Sequence, residues 1–273
     1  MGKLIKAELI RLSKNRTFTV CMIISLLLGV LMAMLYNYAW QNSRASIQTV
    51  TAIITQYGMD TKIIDEAFGM IPRDNLWAYI NILLSDGSIV YITAVAVSSF
   101  AAAEYSMGTL KNTISRGYSR LAVYSSKLTT SLICTYALSF SYVLGGSIVG
   151  VINYGFGSTI GIEKMLAVIS AYICLFGAMG ILYFVFAILC KKSGAAIAVS
   201  IVVPLFVASI FAILTMAWNG FKDYSKYWLL NMIVSVQEYI LSGEAWLPFV
   251  CAAIYFVLSM VIGFAVFKRQ DIK

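Results

Sequence analysis

The chain has 273 residues, of which 60% are hydrophobic and 12% charged, and its mean hydropathy is +0.85. Soluble domains are about a quarter charged, so this composition leaves too little polar surface for a water-soluble protein. With no histidine, the chain cannot form His-based metal sites or His-containing catalytic triads. These features indicate an integral membrane protein, in which the net charge of +8 sets topology and does not point to nucleic acid.

Six apolar stretches are long enough to cross a bilayer, because a hydrocarbon core about 30 Å thick needs roughly 20 apolar residues per helix. We expect an all-α protein with one transmembrane domain and six spans. The predicted spans are 17–38, 87–103, 127–152, 165–190, 194–218 and 247–267, preceded by an inner interfacial helix at 1–16 and separated by long outer loops at 39–86 and 219–246.

The charges of the connecting segments predict the orientation. One side carries 14 Lys and Arg against three acids, a net charge of +11, and the other carries six against nine, a net charge of −3. Basic connections stay in the cytoplasm, so both termini are predicted to be cytoplasmic. All five tryptophans fall on or beside the opposite face, where amphipathic rings favour the headgroup layer.

Residues 1–16 have the pattern of an amphipathic helix on the inner leaflet. Leu4, Leu9 and Leu12 recur at helical spacing, and the basic residues Lys3, Lys6, Arg11 and Lys14 can contact anionic lipid. Two interpretations remain: a plain basic anchor for the first span, or a helix that also docks a cytoplasmic partner.

The segment between spans 2 and 3, 104–128, is the most informative in the chain. Glu104 is an acid among basic residues, which is unexpected in a purely topological anchor. Met107, Leu110 and Ile114 lie at i, i+3 and i+7 on one face of a short helix, and Lys111 lies on another. Gly117 permits a turn, and Ser119 is placed to cap the next helix. The pattern predicts a short helix parallel to the membrane on which a cytoplasmic motor could push; the alternative is a basic loop that only orients the protein.

This loop, E-x-x-x-G-T-L-K-N-x-x-S-R-G-x-S-R-x-x-x-Y-x-x-K-L, resembles the inner loop of type-2 ABC exporter permeases. It is closest to those of Gram-positive bacteria grouped with bacteriocin- and bacitracin-type immunity transporters. The family often has a proline in the turn before Ser-Arg, where this chain has Gly117-Tyr118. The family pattern falls on Glu104, Gly108, Thr109, Leu110, Ser119, Arg120 and Lys127. From this pattern and the helical spacing together, we predict an ATPase-coupling loop formed by Glu104, Met107, Gly108, Thr109, Leu110, Lys111, Ile114, Arg116 and Arg120.

The resemblance implies a dimer of permease subunits, identical or homologous, in the cell membrane of a Gram-positive bacterium. Each subunit would dock one copy of a separate ABC ATPase, which would bind ATP and Mg²⁺. The chain itself has no phosphate-binding loop of the G-x-x-x-x-G-K-[ST] type, and we expect no catalytic site, cofactor or metal in it.

The function favoured by the sequence is export of an amphipathic substrate, an antimicrobial peptide or bacteriocin first. A proton-coupled carrier is disfavoured because the charges near the spans, such as Asp86 and Glu104, fall at their ends. An intramembrane enzyme is disfavoured because the spans offer no buried base. The alternatives are ABC export of a lipid or small drug, and a non-transporting immunity or sensor protein that binds a peptide at its outer loops.

Two further patterns concern packing. Gly146 and Gly150 in the third span, and Gly177 and Gly180 in the fourth, are predicted to allow close helix approach within the chain. The apolar stretch 227–242 is short for a span and is predicted to form an interfacial or re-entrant helix on the outer side.

Overall fold

The computed structural model of the chain describes residues 2–56, 76–108, 113, 115, 117–157 and 161–270, with 43–56 described by their helical backbone. This part of the chain is all-helical, as predicted. Its helices are α1 (Gly2–Ser13), α2 (Arg16–Gln56), α3 (Leu76–Ser85), α4 (Ser88–Ser106), α5 (Arg120–Tyr154), α6 (Ile162–Cys190), α7 (Ser193–Ala217), α8 (Lys222–Ser225), α9 (Leu229–Leu241) and α10 (Trp246–Arg269).

Six of these helices, α2, α4, α5, α6, α7 and α10, are long and apolar enough to cross a membrane, which confirms the predicted number of spans. Both termini lie at the same end of the bundle, because α1 contacts the beginning of α5 and the chain end contacts Arg120. We call this the terminal end and the opposite one the distal end.

Helices α4 and α6 form the centre of the bundle. In their most apolar stretches 61% and 67% of residues are buried, against 11% for α7 and 22% for α2 and for α10. Helix α4 packs against α2, α5, α6 and α7, whereas α10 packs mainly on α6. Helices α2, α7 and α10 therefore present apolar surface outward, as expected for helices that contact lipid.

The segment predicted as a long outer loop with one or two amphipathic helices, 39–86, is helical at both of its described ends. Helix α2 continues to Gln56 without a break, and α3 occupies Leu76–Ser85. Helix α3 packs on the distal half of α5 and on α9. It ends at Ser85, two residues before Gly87, whose φ of +72° starts α4 in a new direction. The second span is thus a broken helix that begins near residue 76. The predicted second span, 87–103, did not include α3.

The predicted glycine contacts are present. A Cβ at Gly146 would overlap the Leu83 side chain, and one at Gly150 would crowd Tyr79, so both glycines admit α3. A Cβ at Gly177 of α6 would overlap the Tyr136 hydroxyl of α5, and one at Gly180 would overlap the Thr135 hydroxyl. The roles of these glycines within the described chain are intramolecular.

Helix α9 forms a cover at the distal end. It lies between the fifth and sixth spans, as predicted for 227–242, and packs on α6, α10 and α3. Its buried face is apolar, with Met232, Ile233 and Val236 fully enclosed. Asn81 of α3 donates a hydrogen bond from its amide to the Gln237 side-chain oxygen, which fixes α3 and α9 together.

Candidate functional site

Four charged side chains meet at the terminal end of the bundle: Glu8 and Arg11 of α1, Glu104 of α4 and Lys127 of α5. We call them the ionic cluster. Glu104 contacts both cations, through Arg11 Nη1 on one carboxylate oxygen and Lys127 Nζ on the other. Lys127 Nζ also lies 3.2 Å from Glu8 Oε1, and Arg11 Nη1 lies 3.9 Å from Glu8 Oε2. The cluster is formally neutral and connects three helices.

Three of the four members are buried. The exposed fraction is 5% for Glu104, 6% for Glu8 and 3% for Lys127, while the Arg11 side chain is 34% exposed. Removal of one member of a buried ion pair costs about 3–5 kcal/mol, because the partner is left as an uncompensated charge. The cluster therefore holds α1 to the two ends of the 104–127 segment. Loss of any one of the four side chains would weaken this connection.

The local sequence explains why each residue of the ionic cluster lies at the terminal end. On α1, Leu4, Glu8 and Leu12 are buried at i, i+4 and i+8, so Glu8 lies in the middle of the stripe that packs on α5. Glu104 lies in the last turn of α4, and Lys127 lies two turns after the start of α5. Our sequence reasoning singled out Glu104 but missed Glu8; an acid at the centre of an apolar helical stripe was the available signal.

The chain leaves the cluster through Met107 and Gly108. Met107 ends α4 and is exposed, and Gly108 has φ +67°, a left-handed conformation that glycine adopts without strain. The predicted turn at Gly117 has φ +84°, and Ser119 accepts a hydrogen bond from the Ala122 backbone N–H at 3.2 Å, so both local predictions are confirmed. The predicted coupling residues Thr109, Leu110, Lys111, Ile114 and Arg116 lie outside the described residues.

The end of α4 is also fixed to α7. Ser106 Oγ lies 3.2 Å from Ser193 Oγ and accepts a hydrogen bond from the Ser193 backbone N–H. Deeper in the bundle, the Ser98 and Ser200 hydroxyls lie 2.6 Å apart and are both fully buried. Displacement of the segment after Ser106 would thus act on α7 as well as on α1 and α5.

Arg120, predicted to belong to the coupling loop, binds the C-terminal end of the last helix. Its Nη1 donates hydrogen bonds to the backbone carbonyls of Lys268, at 2.7 Å, and Gln270, at 3.0 Å. Gln270 in turn donates from its side chain to the Ile188 carbonyl at 3.0 Å. The beginning of α5 and the ends of α6 and α10 are therefore joined.

Most of the chain matches one known protein family. Residues 31–273 match DUF2705, a family of proteins of unknown function. The chain belongs to the DUF2705 family. Among curated proteins no significant match is found. In this DUF2705 chain the matched region contains Glu104 and Lys127, whereas Glu8 and Arg11 of α1 precede it.

The remaining predicted residues of this DUF2705 protein lie on the free face of α1. Lys3, Lys6 and Lys14 are exposed, while Arg11 turns toward Glu104. Within the described residues, no group of three or more Cys, Asp or Glu side chains has a geometry that could hold a metal ion. The arrangement at the terminal end can transmit force between helices, and its exposed residues, Met107 among them, can contact another molecule.

Proposed function

We propose that this chain is the membrane-spanning permease subunit of an ATP-driven exporter, and that the 104–127 segment docks a separate cytoplasmic ABC ATPase. The observation that carries the proposal is the ionic cluster. It joins Glu104 and Lys127, at the two ends of the segment, to α1. A force on the segment would therefore be passed to the spans that carry these residues. An exposed basic loop that only sets topology has no need of buried, mutually paired charges.

The position of α4 supports the same function. The helix that leads into the segment packs against four other spans, so motion at its end reaches α2, α5, α6 and α7. Small displacements at one site are amplified when packed helices have two discrete arrangements. In the proposed cycle, ATP binding and hydrolysis on the partner, with Mg²⁺, shift α4 and α5 together and re-expose a cavity between two permease subunits, identical or homologous.

The substrate class that we propose is an amphipathic molecule, an antimicrobial peptide or bacteriocin first. The support is the sequence resemblance of the loop to immunity transporters, together with net negative charge on the predicted outer segments, which attracts cationic peptides. In this proposal the terminal end is cytoplasmic, because it carries the basic connections, and the protein resides in the cell membrane of a Gram-positive bacterium.

The test is co-purification of the chain from its native membrane in mild detergent, followed by an ATPase assay of the eluate. We expect an ATPase subunit to accompany the wild-type chain. Met107→Asp places a charge on an exposed apolar side chain beside the segment, so it should abolish co-purification without disturbing the fold. Phe156→Asp is the matched control, because Phe156 is also an exposed apolar residue but lies at the distal end.

An eluate without an ATPase, or equal recovery of the ATPase with Met107→Asp and wild type, would contradict the proposal. The alternative would then be an immunity or sensor protein that binds a peptide at its distal segments without transport. If the ATPase co-purifies but the peptide neither stimulates hydrolysis nor is exported, lipid or small-drug export becomes the function to test.

A further inference from the structure

A cavity of about 680 Å³ opens between the first turns of α5 and the last turns of α10. Its volume falls within the range of about 300–1,000 Å³ that is typical of small-molecule sites. Most of the wall is apolar, and Leu128, Met260 and Phe264 are representative; the Ser125 and Thr129 hydroxyls in the wall bond to carbonyls of their own helix. The interior therefore offers apolar contact and few free polar groups.

The mouth of the same cavity is basic. Lys268 and Arg269 line it in the last turn of α10, and both side chains are exposed. The Arg120 guanidinium lies 2.7 Å from the Lys268 carbonyl and adds a third positive charge next to the mouth. None of the described residues that line the cavity is acidic.

The apolar and basic parts lie at different depths. Lys268 and Arg269 end a 24-residue span, which places them at the level of the lipid headgroups. Met260 lies eight to nine residues earlier in the helix, about 12 Å deeper in the layer at 1.5 Å per residue. A charged mouth above an apolar interior matches the order of phosphate and acyl chain in a phospholipid of that leaflet.

We propose that this cavity holds one anionic phospholipid, with its phosphate on Lys268 and Arg269 and an acyl chain along Leu128 and Phe264. Arginine and lysine bind phosphate through charge-assisted hydrogen bonds, and basic pockets between spans recognise anionic headgroups. A helix of another protein fits less well, because it would bring a continuous apolar face to a mouth that carries three positive charges. The site does not depend on the proposed transport function.

The experiment compares lipid retention by the purified full-length chain after exchange into phosphatidylglycerol or phosphatidylcholine of identical acyl chains. Native mass spectrometry counts the lipids that remain after delipidation. We expect one phosphatidylglycerol per chain and no retained phosphatidylcholine. The double variant Lys268→Gln/Arg269→Gln should reduce retention at least tenfold, while Lys191→Gln/Lys192→Gln, a basic pair at the same end but outside the cavity, should retain the lipid.

A second variant tests the apolar part and covers the case in which the double variant fails to insert. Ser125→Trp fills the cavity and leaves every basic residue in place, so it should also prevent retention of phosphatidylglycerol. Equal retention of the two lipids would overturn the proposal, since it would indicate nonspecific annular lipid. Equal retention by Ser125→Trp and wild type would overturn it as well.

Discussion

The Tyr142 hydroxyl donates a 2.5 Å hydrogen bond to the Asp86 carboxylate at the break between α3 and α4. The other Asp86 oxygen accepts from the Ser88 backbone N–H at 2.6 Å, and Ser88 Oγ lies 2.9 Å from the same tyrosine hydroxyl. Tyr142 is fully buried. Asp86 thus forms an Asx-turn that leads into α4, whose N-cap is Gly87, and it links this turn to the middle of α5.

Asp86 lies in the short link between two apolar helices, α3 and α4. Both of its carboxylate oxygens accept hydrogen bonds, one from the backbone of α4 and one from the Tyr142 side chain of α5. The break between α3 and α4 is therefore held by this one carboxylate.

The first prediction separates the charge of Asp86 from its role as a hydrogen-bond acceptor in the turn. Asparagine forms Asx-turns as aspartate does, so Asp86→Asn should change stability little. Asp86→Ala removes the acceptor for Ser88 and for Tyr142, and we expect it to cost about 1–2 kcal/mol. Apparent melting temperatures of the purified variants in one detergent give the comparison.

Asp223→Ala is the control, because Asp223 is exposed on α8 and its loss should be nearly neutral. If Asp86→Asn proves as destabilising as Asp86→Ala, the negative charge itself stabilises the break.

The second prediction concerns the ionic cluster. Glu104→Gln and Lys127→Met each leave the mostly buried cluster with one uncompensated charge and should destabilise by up to about 3–5 kcal/mol. The double variant keeps only Glu8 and Arg11, whose charges balance each other. Its loss of stability should therefore be smaller than the sum of the two single-variant losses by about 0.5–3 kcal/mol. A double-mutant cycle of unfolding free energies measures this coupling.

Glu163→Gln and Lys164→Met provide a matched pair, since both residues are exposed at the distal start of α6. Their effects should be small and additive. Additivity in the Glu104 and Lys127 cycle would mean that these two residues do not act as a unit.

The third prediction concerns the contact of α2 with α5. A Cβ at Gly29 would overlap the Tyr142 carbonyl oxygen, and one at Gly145 would overlap the Leu26 carbonyl oxygen. Backbone atoms cannot move aside as a side-chain tip can, so Gly29→Ala and Gly145→Ala should each destabilise by about 1–3 kcal/mol. Gly194→Ala, at a helical glycine that faces open space, should be neutral or slightly stabilising.

The melting temperatures of these three variants, each compared with that of the wild type, test this prediction. A stable Gly145→Ala protein would show that α2 and α5 can separate without loss of the fold.

The fourth prediction concerns Arg120. Arg120→Ala removes the two hydrogen bonds to the Lys268 and Gln270 carbonyls, so the last turn of α10 should open more often. We expect amide hydrogen exchange at 265–270 to become several-fold faster, while exchange in α6 stays unchanged. Arg16→Ala, an exposed arginine at the start of α2, should leave both regions as in wild type.

The spans were predictable because apolar runs of about 20 residues report membrane crossing directly. The ionic cluster and the contacts of Asp86 were less predictable, because they depend on which helices pack against each other. Trp77 shows the difference: its position in the sequence suggested a headgroup ring, yet it is 1% exposed within the bundle. Glu8 was missed because its contact with Lys127 joins residues 119 positions apart in the sequence. The contacts of Asp86 follow from a helix break that hydropathy cannot reveal.

Helix α2 runs for 41 residues, about 60 Å of axis, whereas a hydrocarbon core is about 30 Å thick. A helix that crosses such a core directly would leave about half of its length, roughly 30 Å, beyond the hydrocarbon core at the distal end. A fluorophore at its far end would be well separated from lipid-borne quenchers, a property that would be lost if the helix lay flat on the surface.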